Sequence, residues 1–61
     1  MWFRIEDEYI NLELVEHIKF TMGTDDKYTL YYIQIDDWEF TFRNKKVFLK
    51  YKIQLEHYLN G

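Results

Sequence analysis

Residues 27–44, KYTLYYIQIDDWEFTFRN, constrain the fold more than any other stretch of this sequence. Two apolar-rich runs flank Asp36–Asp37, and residues 38–43 alternate apolar and polar side chains with the period of two that is typical of β-strands. Aspartates favour tight turns because their side chains bond to nearby backbone amides. The second strand is apolar on one face only, with Trp38, Phe40 and Phe42, whereas the first is apolar on both. The stretch therefore predicts a hairpin with apolar side chains on both faces, of which a single covering layer can bury only one.

The first strand of this hairpin divides its large side chains between the two faces of the predicted sheet. Alternate residues from Tyr31 to Ile35 share a face with the aromatic side chains of the second strand. The opposite face receives Tyr28, Leu30 and Tyr32. Because the sequence supplies a single long helix, we expect that helix to cover only the first of these faces.

The N-terminal residues predict two more short strands. Residues 2–6, WFRIE, alternate with Phe3 and Ile5 on one face, which is the pattern of a half-buried strand. The charged residues 6–8 then predict a turn, and residues 9–11 predict a short return strand.

A change of period follows these strands. Leu12, Val15 and Ile18 are spaced by three, so we predict one helical or 3₁₀ turn at 12–15 and a strand that resumes near Glu16. Further on, the sequence GTDD at 23–26 predicts a hairpin turn in which the glycine supplies a positive φ.

Residues 45–60 show the 3.6-residue period of an amphipathic helix. Asn44 is predicted to be its N-cap, with a side-chain oxygen that accepts from the first free helical amides. The apolar stripe consists of Val47, Phe48, Tyr51, Leu55, Tyr58 and Leu59. Strands at about 2–43 and a helix at about 45–60 predict one α+β domain over 1–61. In it, an antiparallel meander of four or five strands carries the C-terminal helix on one face.

The small size of the domain raises a problem of stability. A chain of 61 residues buries only about 60% of its unfolded surface. Cysteine is absent, so disulfides and cysteine-based metal sites cannot reinforce the fold. A dense aromatic core and association between copies are the remaining routes, and six Tyr, five Phe and two Trp suit both.

Several classes of chemistry are disfavoured by the residues present. Nucleophilic catalysis by serine or cysteine is excluded because neither residue occurs. His17 and His57 lack the paired spacing of metal-binding histidines, and the paired acidic residues all lie at predicted turns. Two glycines are too few for a phosphate-binding loop. We therefore expect no enzymatic activity, no cofactor and no metal site.

The sequence also bears on location and source. It contains no apolar run of about 18 residues, so we expect no membrane span. Residues 1–10 lack the pattern of a signal peptide, and the lack of cysteine agrees with a cytoplasmic location. Residues encoded by A/T-rich codons make up nearly half of the chain, which predicts a low-GC bacterium or one of its phages.

The uncovered apolar residues predict an interaction surface. On the open sheet face we expect Tyr28, Leu30 and Tyr32, with Trp2 as a neighbour, and on the helix Leu49 and Ile53 form a second ridge. Clustered aromatic side chains on an open face mark interfaces. We expect a small interaction or regulatory module that forms a homo-oligomer, most simply a symmetric dimer. Three alternatives stay open: a sheet that curls over these residues, simple exposure, or a foreign protein or ligand.

A second hypothesis rests on the distribution of charge. Residues 1–42 hold ten acidic and three basic side chains, a net charge of −7, whereas residues 43–61 carry a net charge of +4. The basic residues are Arg43, Lys45, Lys46, Lys50 and Lys52. They surround a predicted helix N-terminus, which favours anions, so a phosphate, an acidic peptide or a nucleic acid is the alternative partner. Attraction between sheet and helix explains the same distribution without any partner.

One segment resembles a pattern found in many small uncharacterised bacterial and phage proteins. The segment is YINLELVEHIKF at 9–20, in which a motif of the form I-N-L-x-x-V-x-x-I carries one strand through a helical turn into the next. The resemblance covers about a fifth of the chain directly. It implies a β-meander followed by a C-terminal helix, and it implies no function.

Overall fold

The computed structural model describes residues 1–60, which form five strands, a 3₁₀ turn and one long helix. In chain order they are β1 (Trp2–Ile5), β2 (Glu8–Asn11), the 3₁₀ turn (Leu12–Leu14), β3 (Ile18–Thr24), β4 (Thr29–Ile35), β5 (Trp38–Phe42) and α1 (Lys45–Asn60). Every strand pair is antiparallel. The predicted α+β class, the 3₁₀ turn and the C-terminal helix are confirmed.

The strands form two sheets rather than one continuous meander. β1 pairs only with β2, whereas the other strands form a separate sheet in the order β3-β4-β5. The break falls between β2 and β3 because the 3₁₀ turn redirects the chain there, and β3 begins at Ile18 rather than near Glu16.

The side chain of Asp36 fastens the segment between the 3₁₀ turn and β3. Its Oδ1 accepts from the N–H groups of Glu16 and His17 at 3.1 and 2.9 Å, and its own N–H donates to the His17 carbonyl at 2.9 Å. Asp36 belongs to the tight turn between β4 and β5. The acidic turn found in the sequence therefore also holds the approach to β3.

Both two-residue hairpin turns place their first residue at positive φ, at 54° for Glu6 and 51° for Asp36. Aspartate tolerates this region because its short side chain can bond locally, whereas glutamate has no such compensation. The Glu6 turn is held by other contacts. Its N–H donates to the Tyr51 hydroxyl at 3.1 Å, and its carbonyl accepts from the Arg4 Nε at 3.1 Å.

The predicted turn at 23–26 was wrong in position and in its use of glycine. Gly23 and Thr24 belong to β3, and Gly23 does not have a positive φ. The turn lies at 25–28, where the Asp25 N–H donates to the Tyr28 carbonyl at 2.7 Å. The Asp25 carboxylate also accepts from the Asp26 N–H at 2.7 Å. An aspartate, and not a glycine, therefore stabilises this turn.

The core lies between the helix, the hairpin β1–β2 and one face of the three-stranded sheet. It consists of Phe3, Ile5, Leu12, Ile33, Ile35, Phe40, Phe42, Phe48 and Leu55. Phe48 of α1 stacks on Tyr31 at 5.0 Å between ring centroids and meets Phe20 edge-on at 6.5 Å. On the other flank, Tyr51 meets the ring of Phe3 at 6.0 Å. One helix therefore joins the two sheets.

The start of the helix matches the sequence prediction. The Asn44 Oδ1 accepts from the N–H groups of Lys46 and Val47 at 2.9 and 3.4 Å, which confirms the N-cap. The ends of the apolar stripe differ, since Val47 and Leu59 are exposed. Trp38, expected to point inward, is 48% exposed because it is the first residue of β5 and has Phe40 as its only ring contact, at 6.3 Å. Within residues 1–60, no helix has the length and hydropathy needed to cross a membrane.

Candidate interaction surfaces

The outer face of the three-stranded sheet is the side of that sheet that faces away from α1. The strand register places Thr21, Tyr32 and Thr41 in one row across it, and Leu30 lies opposite Gly23. Leu30 and Tyr32 are half-buried, although no helix or strand among residues 1–60 packs over them. Neighbours on the same face supply this partial cover.

Two contacts shape this outer face. The Tyr32 ring leans over Gly23, so that a Cβ at Gly23 would lie 3.3 Å from Tyr32 Cε2. The Arg43 guanidinium lies 5.2 Å from the centre of the Tyr28 ring, in the geometry of a cation–π contact. Tyr28 nevertheless remains 51% exposed. One end of this face is therefore a shallow apolar patch beside an arginine, whereas Lys19, Gln34 and Glu39 form a polar row at the other end.

Trp2 does not join this surface. It lines a separate groove of about 280 Å³ between the hairpin and the end of β4, where Ile35 is followed by the turn residue Asp36. Leu30 is five residues from Ile35 along an extended strand, a distance of roughly 17 Å. The structure thus separates Trp2 from Tyr28, Leu30 and Tyr32, because the hairpin is not hydrogen-bonded into the three-stranded sheet.

The groove brings together exposed side chains that sequence reasoning did not connect. Trp2 shares its rim with Tyr9, Leu14 and Trp38, and all four are exposed. The exposure of Tyr9 could have been predicted, since Tyr9 pairs with Arg4 on the polar face of the first hairpin. Leu14 gave a weaker signal as an apolar residue inside the 3₁₀ turn. The exposure of Trp38 could not be predicted, since Trp38 shares a strand face with Phe40 and that pattern predicted burial.

The predicted helix ridge is reduced to one residue. Leu49 is half-buried and packs against the core, so it does not project away from it as expected. Ile53 is 62% exposed and lines a hollow of about 370 Å³ with Met1, Phe3 and His57. Five of the six predicted interface residues therefore lie in three places, namely the groove, the outer face and this hollow, whereas Leu49 packs against the core.

The basic residues around the helix start are all surface side chains, but several already have contacts. Lys52 Nζ lies 3.0 Å from Glu56 Oε2, and Lys50 Nζ lies 5.9 Å from the centre of the Tyr51 ring. Arg43 lies against Tyr28, as described above. Lys45 and Lys46 are the remaining exposed charges.

The helix N-terminus itself offers little to an anion. Asn44 already accepts from two of the first free amides, at Lys46 and Val47. A bound phosphate would need those same N–H groups. Binding of an anion or a nucleic acid through Arg43, Lys45, Lys46, Lys50 and Lys52 stays a prediction, and it would depend on side chains alone.

The two histidines lie on separate parts of the surface. His17 borders a groove with Glu16 and Asp36, whereas His57 lines the hollow beside Ile53. Within residues 1–60, no group of three or more histidine or acidic side chains could hold a metal ion. The Asp36 carboxylate is committed to the backbone of Glu16 and His17.

Comparison of the chain with protein-family models, with curated proteins and with solved structures gave no match.

Proposed function

We propose that this chain is a small non-enzymatic interaction or regulatory module of the cytoplasm that associates with a second copy of itself through its apolar surface. The carrying observation is the balance between covered and open side chains. Among residues 1–60, nine hydrophobic residues form the buried core, while ten large hydrophobic residues are exposed. A soluble monomer exposes scattered apolar residues, but grouped ones mark interaction sites.

The grouping of these exposed residues supports the proposal. Trp2, Tyr9, Leu14 and Trp38 surround one groove, and Tyr28 adjoins the half-buried pair on the outer face. Aromatic residues are enriched at interfaces because they bury large areas with little loss of side-chain freedom. A second copy would also add the buried surface that a chain of 61 residues lacks.

The test is light scattering on a size-exclusion column at low and high salt, over a series of protein concentrations. We expect a dimer or larger species at both salts, since apolar contacts are not screened by ions. A monodisperse monomer at micromolar concentrations and above would contradict the proposal. Dissociation at high salt alone would assign the association to the charged surfaces instead.

Three variants then test whether the predicted residues take part. Trp2→Ser changes the groove, Tyr32→Ser changes the outer face and Ile53→Ser changes the hollow. Circular dichroism checks that each variant keeps the wild-type fold. A weaker dimer in one variant identifies the surface used, whereas unchanged dimerisation in all three would show that association does not involve these residues.

A further inference from the structure

The hydrogen bonds at the two ends of β3 show which of its backbone groups are free. The Asp36 N–H donates to the His17 carbonyl at 2.9 Å, and the Asp25 N–H donates to the Tyr28 carbonyl at 2.7 Å. Both pairs continue the register of β3 with β4. Since the N–H and C=O groups of successive residues point to alternate sides of a strand, the odd-numbered residues of β3 direct their backbone groups toward β4.

The even-numbered residues of β3 therefore direct their backbone groups away from the sheet. These residues are Ile18, Phe20, Met22 and Thr24. β3 is an edge strand, and among residues 1–60 no other segment bonds to these outward groups. Such a row of free N–H and C=O groups is a template for another strand.

This edge has only one of the features that normally prevent strand pairing, a single lysine. β3 contains no proline, and it matches β4 residue for residue over seven positions, without a bulge. Lys19 is its only charged residue. The opposite edge strand, β5, is shorter at five residues, carries Glu39 and is followed directly by Arg43. The edge formed by β3 is the longer and less protected of the two.

We infer that β3 pairs antiparallel with β3 of a second copy, with Thr21 on the two-fold axis between them. This inference rests on the self-association proposed above, and it places the contact at the edge of β3 rather than in the groove or the hollow. The free groups require even-numbered residues of the two strands to lie opposite one another. Among the registers that meet this condition, the one centred on Thr21 is the only one that pairs all seven residues of both strands. Ile18 then lies opposite Thr24 of the second copy, and Phe20 lies opposite its Met22. Each outward N–H meets an outward C=O.

The side chains agree with this register on both faces. On the helix side, the exposed Met22 meets the half-buried Phe20 of the second copy, a favourable sulfur–aromatic pair. On the outer face, Lys19 lies opposite Gly23, where its stem can cover the Tyr32 ring that leans over this glycine. Lys19 meets no charge of its own sign.

The helices leave room for this arrangement. Each α1 packs chiefly over β4 and β5, away from the proposed axis. Since adjacent strands lie about 4.8 Å apart, the two helices would be roughly 15–20 Å from one another on the same side of a six-stranded sheet. Packed helices approach to about 8–10 Å, so they do not collide.

The test is amide hydrogen exchange of the full chain, measured residue by residue by NMR at low and high protein concentration. We expect the amides of Phe20 and Met22 to become protected as the dimer forms. Glu39 and Thr41 are the internal control, because the same alternation directs their N–H groups outward on the opposite edge, at β5. Those control amides should exchange rapidly at all concentrations.

A matched pair of proline variants tests the same interface independently. Met22→Pro removes an outward N–H without touching the ladder to β4, and we expect association to weaken by about tenfold or more. Thr41→Pro makes the equivalent change on the edge of β5 and should leave association unchanged. Light scattering gives the dissociation constants, and circular dichroism checks the fold. If Met22→Pro does not fold, the exchange experiment on the unmodified chain decides.

The outcomes separate this inference from the function on which it rests. A dimer with protected Phe20 and Met22 amides supports both. A dimer in which these amides exchange as fast as Glu39 and Thr41 overturns the β3 interface and leaves self-association standing on another surface. A chain that stays monomeric at every concentration overturns both, and protection that appears only on addition of a foreign peptide strand would assign the edge to a different partner.

Discussion

The two faces of the three-stranded sheet carry apolar side chains of similar size but differ in burial. On the helix side, Ile33 and Ile35 of β4 are 0% and 2% exposed. On the outer face, their neighbours Leu30 and Tyr32 are only half-buried. All four belong to one strand, so strand formation does not explain the difference. It comes from α1 and the hairpin β1–β2, which cover one face and leave the other open.

This comparison shows how a small domain compensates for an uncovered face. Tyr32 gains cover by leaning over Gly23, and Tyr28 gains an arginine at its ring. The first contact lies within the sheet and the second joins residues that flank β4 and β5, and neither excludes water fully. The outer face thus keeps apolar area exposed to water in the folded chain, and further cover would bury that area. This property is expected of an interaction surface.

The largest expected effect comes from removing a side chain on the covered face. Ile33→Ala should lower the free energy of unfolding by about 2–5 kcal/mol, because it leaves a cavity in a fully enclosed position. Denaturant unfolding followed by circular dichroism measures the change. Gln34→Ala, one residue away and exposed on the opposite face, is the matched control; it removes only a surface hydrogen bond from Gln34 Nε2 to the Asp36 carbonyl and should cost about 1 kcal/mol or less. Equal losses in the two variants would show that the faces do not differ as described.

A smaller loss of stability should follow from weakening α1, the helix that covers the sheet. Asn44→Ala removes the N-cap of α1 and should lower the free energy of unfolding by about 1 kcal/mol. Asn44→Asp keeps the cap and adds a negative charge beside Lys45 and Lys46, so it should equal or exceed the wild type in stability. Thermal unfolding of the three proteins at equal concentration measures both changes. A destabilised aspartate variant would contradict the capping role of this side chain.

Much of the fold could be predicted because local patterns and the structure agree. The alternation of Phe3 and Ile5, the Asp36 turn, the 3₁₀ turn after Asn11 and the Asn44 cap each follow from side-chain chemistry within a few residues. The α+β class followed from the order of strands and helix. These features need no knowledge of distant contacts.

The surfaces were harder to predict because they depend on how separate elements meet. Nothing in the local sequence separates Trp2 from Tyr32, and that separation arises only because the hairpin forms its own sheet. Leu49 lies off the main helical stripe, yet the helix is close enough to the core to bury half of it. Gly23 matched a turn motif, but its role is to leave room for a ring from the neighbouring strand.

The smallest expected effect tests that role on the outer face. Gly23→Ala should raise the free energy of unfolding by about 0.5 kcal/mol, since glycine inside a strand costs conformational entropy and this one has no positive φ. The new Cβ would approach Tyr32 Cε2 to 3.3 Å, but this half-buried ring can tilt toward solvent. Repeating the change in a Tyr32→Ala background, at equal protein concentration, removes that contact and should give a larger gain. A loss of stability in both backgrounds would mean that the β3 backbone itself requires glycine, and the outer face would then owe its shape to the strand rather than to the ring.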